Sequence, residues 1–205
     1  MLARIELRKS LKPYYSPRVG VVEHVRIPKL KCIMVDGEGD PQGVAFQNAM
    51  AVTYSLAYTL KFKSRKTANK DYDVLAPEGL WSMKGGAKFD QARRDDWRWT
   101  LLAIVPDFIT KKMFSEAVED VRKKKGLPDL DRARLEVFDE GECIQLMHLG
   151  PYSEEAKSIA LLEAFARDNG LRMVGRHHEV YLGDPRRAVP AKLRTILRHP
   201  VTKKE

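Results

Sequence analysis

One stretch near the C-terminal end, HHEVYLGDPRR (His177 to Arg187), groups residue types that can do chemistry. Side chains alternate along a strand, so His177, Glu179 and Tyr181 fall on one face and His178, Val180 and Leu182 on the other. A mid-strand carboxylate flanked on its own face by an imidazole and a phenol suits the floor of a groove. There it would attract a cationic ligand or, desolvated, act as a general base. The same pattern fits a sheet face open to water, and alternation alone does not choose between the two. EGLWSM (Glu78 to Met83) is the counterpart in the first half, with Glu78, Leu80 and Ser82 on one face and Gly79, Trp81 and Met83 on the other. In DDWRWTLLAIV, Trp97 and Trp99 point the same way as Leu101, Ala103 and Val105. These tryptophans fit core packing, and they equally fit an aromatic cleft for flat or cationic molecules.

Other chemistries are poorly served. His177 and His178 invite a metal reading with His148 or Cys143, but neighbours on a strand face opposite ways, so no metal site is expected. Cys143 and His148 fall on opposite faces by the same rule and do not form a thiol-imidazole pair. The glycines of DGEGDP belong to neither a P-loop nor a GxGxxG fingerprint, so they read as turn residues and no cofactor is expected.

The elements that must position these residues come as a repeat. KCIMVDGEGDP (Lys31 to Pro41) and ECIQLMHLGPY (Glu142 to Tyr152) share Cys32/Cys143, Ile33/Ile144 and Gly39/Gly150 at one constant spacing. Each is an apolar strand, then a Gly-Pro turn region, then a helical pattern. The first helix is marked by Phe46, Ala49, Met50, Thr53, Tyr54, Ala57 and Leu60, the second by Ala156, Ile159, Ala160, Leu162, Glu163 and Phe165. Ser153 is the expected N-cap of the second and Asn169-Gly170 its stop. Two strands follow each helix: Glu78 to Met83 and Trp97 to Val105, then His177 to Leu182 and Lys192 to His199.

The unit is β-α-β-β used twice, about 20–106 and 133–201, with a connecting helix at about 111–125 that closes on Lys123 to Lys125 before Gly126. Ala133 to Phe138 alternates, and Glu140-Gly141 is placed to turn it back into the strand at Cys143. Arg65 to Tyr72 and Gly85 to Asp96 read as loops. The expected fold class is α+β: a single domain over 1–205, one curved antiparallel sheet with helices on one face and a concave ligand pocket between the halves.

Composition supports a folded domain. The 205 residues are 43% hydrophobic, and no apolar run approaches the length of a membrane span. The start, MLARIELRKSLKPYY, lacks a secretory apolar stretch and only two cysteines are present, so the expected address is the cytoplasm, with no membrane partner. The net charge of +9 is scattered and reads as solvated surface. No helix-turn-helix, zinc finger or RNA-binding signature accompanies it, so specific nucleic-acid binding is not expected. Oligomeric state is not legible.

EGLW, WRWTLLAIVPDFIT (Trp97 to Thr110), HLGPY (His148 to Tyr152) and HHEVYLGDPRRAVPAKLRTILRHPV (His177 to Val201) together resemble the GyrI-like small-molecule-binding family, most closely its stand-alone branch. The resemblance implies the duplicated β-α-β-β sheet and a pocket in which a strand carboxylate meets cationic aromatic ligands, a role carried onto Glu179. Some stand-alone members are similar to hydrolases that open strained cyclopropane rings, with aromatic residues gripping the ligand and an acidic residue helping water attack. Carried over, Glu179 and Tyr181 are the catalytic candidates. Trp81, Trp99, Tyr152, Glu179, Tyr181 and Glu78 are the ligand-binding ones. Many members have a second aromatic after the EGLW tryptophan, where this chain has Ser82. The expected function is binding of small aromatic, cationic or electrophilic molecules, as in drug recognition. The alternatives are a cyclopropanoid hydrolase with a Glu base and a nucleic-acid- or gyrase-associated protein.

Overall fold

The computed structural model describes residues 2–87 and 92–204. In chain order the elements are β1 (Ala3–Ile5), α1 (Leu7–Ser10), β2 (Glu23–Ile27), β3 (Leu30–Glu38), α2 (Val44–Thr67), β4 (Lys70–Tyr72) and β5 (Glu78–Met83). There follow β6 (Trp97–Ile104), α3 (Lys111–Lys125), β7 (Ala133–Phe138), β8 (Gly141–Leu149), α4 (Glu155–Asp168), β9 (Leu171–Met173), β10 (His177–Tyr181) and β11 (Arg194–Lys203). The β-α-β-β unit occurs twice as expected, as β3-α2-β5-β6 and β8-α4-β10-β11, and the class is α+β, with antiparallel ladders between β3 and β6 and between β10 and β11. The chain divides into two compact units, residues 1–10, 30–75 and 81–138 against 11–29, 76–80 and 139–205. β5 passes from the second into the first.

In the first unit β3 lies between β6 and β7, antiparallel to both, with Val35 opposite Leu101 on one side and Ala133 on the other. A strand covered on both edges and both faces reads as a continuous apolar run, and Cys32 to Val35 is one. α2 buries Phe46, Ala49, Val52, Thr53, Leu56, Ala57, Leu60 and Ser64. Its inward stripe is therefore rotated from the expected one, and Tyr54 faces solvent. Thr110 caps α3 by accepting from the Met113 amide at 3.1 Å, and Gly126 ends it in the left-handed region (φ 53°), as the lysine run anticipated.

Two readings need correction here. Arg65 to Tyr72 is not a loop: α2 continues to Thr67, and β4 pairs in parallel with β1, a strand the sequence pattern did not reveal. Lys61 bonds Asp71 at 2.9 Å, which lets this charged segment lie partly buried. β7 does not fold back on β8, because its ladder is with β3, while β8 pairs with β2 and β11. Residues 88–91 of the loop expected over Gly85 to Asp96 lie outside the described residues.

In the second unit the ladder runs β2-β8-β11-β10, with β9 on the end of β11. α4 covers one face, where Leu162 and Ala166 pack on Ile144, Leu146, Leu197 and Val201. Met147, Val180 and Ile196 occupy the other, with Tyr15, Ala76 and Leu182 against them. Ser153 does not cap α4. The chain already winds as a 3-10 turn from Tyr152, with the Glu154 amide on the Pro151 carbonyl at 2.9 Å, so Ser153 sits inside the winding. The C-terminal stop is as expected: Gly170 has φ 65° and the Asn169 amide group bonds Phe165 O at 2.8 Å.

Candidate functional site

Strand register decides which side chains meet. On β10 and β11, Glu179 lies opposite Leu197 and Tyr181 opposite Thr195; on β11 and β8, Leu197 lies opposite Leu146 and Thr195 opposite His148. Leu146 and Leu197 belong to the core under α4. Glu179 and Tyr181 therefore stand on the face that α4 covers, beyond the end of its apolar contact.

There the groups converge. Tyr181 Oη donates to Glu179 Oε2 at 2.8 Å, and His177 Nε2 lies 3.3 Å from Glu179 Oε1. Tyr152 sets its ring edge-on to Tyr181, centroids 6.0 Å apart at 78°. Glu155, the first residue of α4, is 6% exposed and feels the Glu179 charge. Burial first, and that neighbouring charge second, push the Glu155 carboxyl well above the usual carboxylate range, so it keeps its proton at neutral pH. The Tyr152 phenol is pushed up to about 12 by burial and by Glu179, Glu155 and Asp184.

Among the described residues, Glu155 Oε1, Thr195 Oγ1 and His177 Nε2 are buried without a hydrogen bond of good geometry, although His177 Nε2 lies near Glu179 and Thr195 near the Glu155 carboxyl. Buried polar atoms are nearly always bonded, so a cluster of such atoms around one carboxylate marks a place built to meet something else.

The opposite face of β10 is different. Glu78 accepts from Tyr15 Oη at 2.6 Å and meets His178 Nε2 at 2.9 Å. His178 Nδ1 meets Glu140 at 2.9 Å, and Arg198 Nη1 donates to Glu140 at 3.3 Å. Arg198 also donates to Gln145 and to the Tyr14 carbonyl, both at 2.9 Å. Burial alone would lower His178, but Glu140 and Glu78 outweigh it and hold the imidazole up at about 9. Burial would likewise raise Glu140, yet His178 and Arg198 hold it below its ordinary value. Glu78 thus belongs to a closed charge network and not to the Glu179 cluster.

The tryptophans pack in the first unit. Trp99 is 2% exposed, meets Phe46 edge-on at 5.1 Å, and donates from Nε1 to Gly39 O at 3.2 Å. Its ring lies over Gly37, where a Cβ would come within 2.0 Å of it. Trp81, 5% exposed, stacks on Phe46 at 5.7 Å and 22° and meets Trp97 edge-on.

Of the six expected ligand residues, Glu179, Tyr181 and Tyr152 come together. The sequence reading missed Glu155 and Thr195, and on the other face Glu140 and Arg198. A signal for Glu155 existed: it shares helical spacing with Ser158, Leu162 and Ala166, the buried stripe of α4. The stripe expected from Ala156 and Ala160 was rotated away from it. Among the described residues, no group of three His, Cys, Asp or Glu is arranged to hold a metal ion, and no helix is long and apolar enough to cross a membrane.

The family model described as the GyrI-like small molecule binding domain matches residues 21–201, and the chain belongs to that family. Three solved structures from Listeria innocua are similar over 97% of this chain and 100% of theirs. An uncharacterized conserved protein is 41% identical with a TM-score of 0.91. Two hydrolases are 40% and 38% identical, with TM-scores of 0.88 and 0.86. Comparison with curated proteins found no match.

Proposed function

We propose that the Glu179 cluster binds a small aromatic electrophile and hydrolyses it. The observation that carries this reading is a fixed carboxylate surrounded by buried polar atoms without hydrogen bonds of good geometry, on a small-molecule-binding fold. Likeness to two hydrolases at 38–40% identity moves the balance from binding alone toward turnover.

The roles follow from the contacts. The Tyr181 hydroxyl engages Glu179 Oε2 and fixes the plane of the carboxylate, while Oε1, 3.3 Å from His177 Nε2, is the oxygen assigned to take a proton from water. Tyr152, edge-on to Tyr181, offers an aromatic surface, and such contacts contribute about 0.5–1.5 kcal/mol each. Trp81 enters the reading through the EGLW motif; Trp99, seated on Gly37, is assigned to packing.

The test is incubation with an aromatic alkylator containing a carbonyl-conjugated cyclopropane, following substrate and ring-opened product by mass spectrometry. The wild type is expected to turn over many times. Glu179→Gln is expected to lose about 100- to 10,000-fold in rate while still binding. Stoichiometric retention without product would make the protein a sequestering binder. Neither binding nor product would sink this ligand class.

A further inference from the structure

We infer that Glu155 is the proton donor of this site, acting on the oxygen that gains charge while Glu179 takes the proton from the attacking water. The inference rests on the hydrolytic reading above. Its support is positional. Glu155 projects from the first turn of α4 into the Glu179 cluster, more than nine-tenths buried, with no hydrogen bond of good geometry to Oε1 among the described residues. Thr195 on β11, 1% exposed and without a hydrogen bond of good geometry, brings its hydroxyl close to the same carboxyl.

The charge that acts on the Glu155 carboxyl is the like charge of Glu179. β10 contributes Glu179, Tyr181 and His177, the turn before α4 contributes Tyr152, and Asp184 adds a further negative charge to the cluster. His148 on β8 is engaged with Ser158 Oγ at 2.9 Å and the Pro151 carbonyl at 3.2 Å. A carboxylate at a helix N-terminus is ordinarily favoured in its charged form. Here burial and the Glu179 charge reverse that preference, because two close carboxylates in one dry site cannot both ionise. One acid and one base then stand together at neutral pH, a division of labour that a single carboxylate cannot provide.

Water oxygen bonds to the cyclopropane CH2 as its proton passes to Glu179. The strained C–C bond breaks, and its electron pair moves through the conjugated ring onto the carbonyl oxygen. Glu155 delivers its proton to that oxygen, giving a phenol and an alcohol. Transfer of the proton from Glu179 to Glu155, directly or through water, restores the starting state.

The experiment compares wild type, Glu179→Gln and Glu155→Gln on a series of such substrates whose released phenols differ in acidity. Glutamine keeps the shape but cannot give up a proton. For the least acidic phenol, kcat should fall about 100-fold or more in Glu155→Gln, and the loss should shrink as the phenol becomes more acidic and needs the proton less. The alkaline fall in wild-type kcat, caused by deprotonation of Glu155, should vanish in the variant.

A loss of equal size across the series, or no loss, would overturn the inference while leaving Glu179 as the base. If the glutamine variant does not fold, the wild type alone decides. An alkaline limb that weakens with phenol acidity supports the assignment, and one indifferent to it overturns it. Absence of wild-type turnover on every substrate would remove the hydrolytic reading and this one with it.

Discussion

The two copies of the repeat put different chemistry at one ladder position. In the first, Gly37 of β3 lies opposite Trp99 of β6; in the second, His148 of β8 lies opposite Thr195 of β11. The first copy fills the position with an indole that needs a glycine beneath it. The second leaves a threonine whose hydroxyl lacks a hydrogen bond of good geometry, beside Glu155 and one pleat from Glu179. Duplication supplies a scaffold twice, and one copy can close as packing while the other stays polar. Buried charge alone does not make the difference. Glu78, His178, Glu140 and Arg198 are as buried as anything in the molecule, yet each is engaged by another. Satisfaction, more than charge, separates framework from candidate site.

Substitution should separate the two kinds of carboxylate most sharply. Glu140→Gln leaves His178 and Arg198 short of a counter-charge in a dry place, and breaking a buried pair typically costs about 3–5 kcal/mol. Urea denaturation should show that loss, while turnover per folded molecule is kept. Glu179→Gln should do the reverse: turnover falls and the denaturation midpoint holds, since the variant keeps the shape and leaves neither His178 nor Arg198 short of a counter-charge. A shared outcome for both variants would abolish the distinction.

Acidity offers the next test, because each face of β10 carries one group held above its ordinary value. His178 moves from 6.5 to about 9, so its stabilisation is complete below about pH 6.5 and is lost as pH rises through 9, a change of about 3 kcal/mol. Glu155, raised from 4.5, also binds its proton more tightly when folded, so its contribution falls over a window that opens lower, above about pH 4.5. The unfolding free energy should therefore decline between pH 6.5 and 9. Glu155→Gln should remove the decline between about pH 4.5 and 6.5 and make the one between 6.5 and 9 shallower, leaving the part that belongs to His178. Stability that rises over this range would contradict both assignments.

How much of this could be read from the residues follows from the range of the interactions. The repeat, both β-α-β-β units and the facing of Glu179 with Tyr181 come from local alternation and helical spacing, which the sequence carries openly. β1 and β4 escaped because a three-residue strand has almost no pattern, and their pairing joins residues far apart in the chain. Glu78 was placed in the pocket by its motif and lies in the charge network instead. Its partners, Tyr15 and His178, are brought to it by folding and have no spacing signature. Glu155 is an acid in a helix's first turn, a common place for one, and only the rotation of the α4 stripe shows that it points inward.

The smallest expected effect bears on the packed copy of the repeat. Gly37→Ala would place a methyl group 2.0 Å from the Trp99 ring, and since the ring is held by Phe46 and by its bond to Gly39 O, it has little room to shift. Overpacking of this kind costs about 1–3 kcal/mol. Trp99→Leu empties the same space and costs stability by itself, but it also makes the alanine tolerable. The double variant should then be more stable than the sum of the two single losses predicts, with a coupling of about 1 kcal/mol or more. Additive losses would mean that the indole does not rest on Gly37. Unchanged turnover in the folded variants would place Trp99 in the framework, whereas a selective loss of ligand affinity in Trp99→Leu would return it to the binding surface.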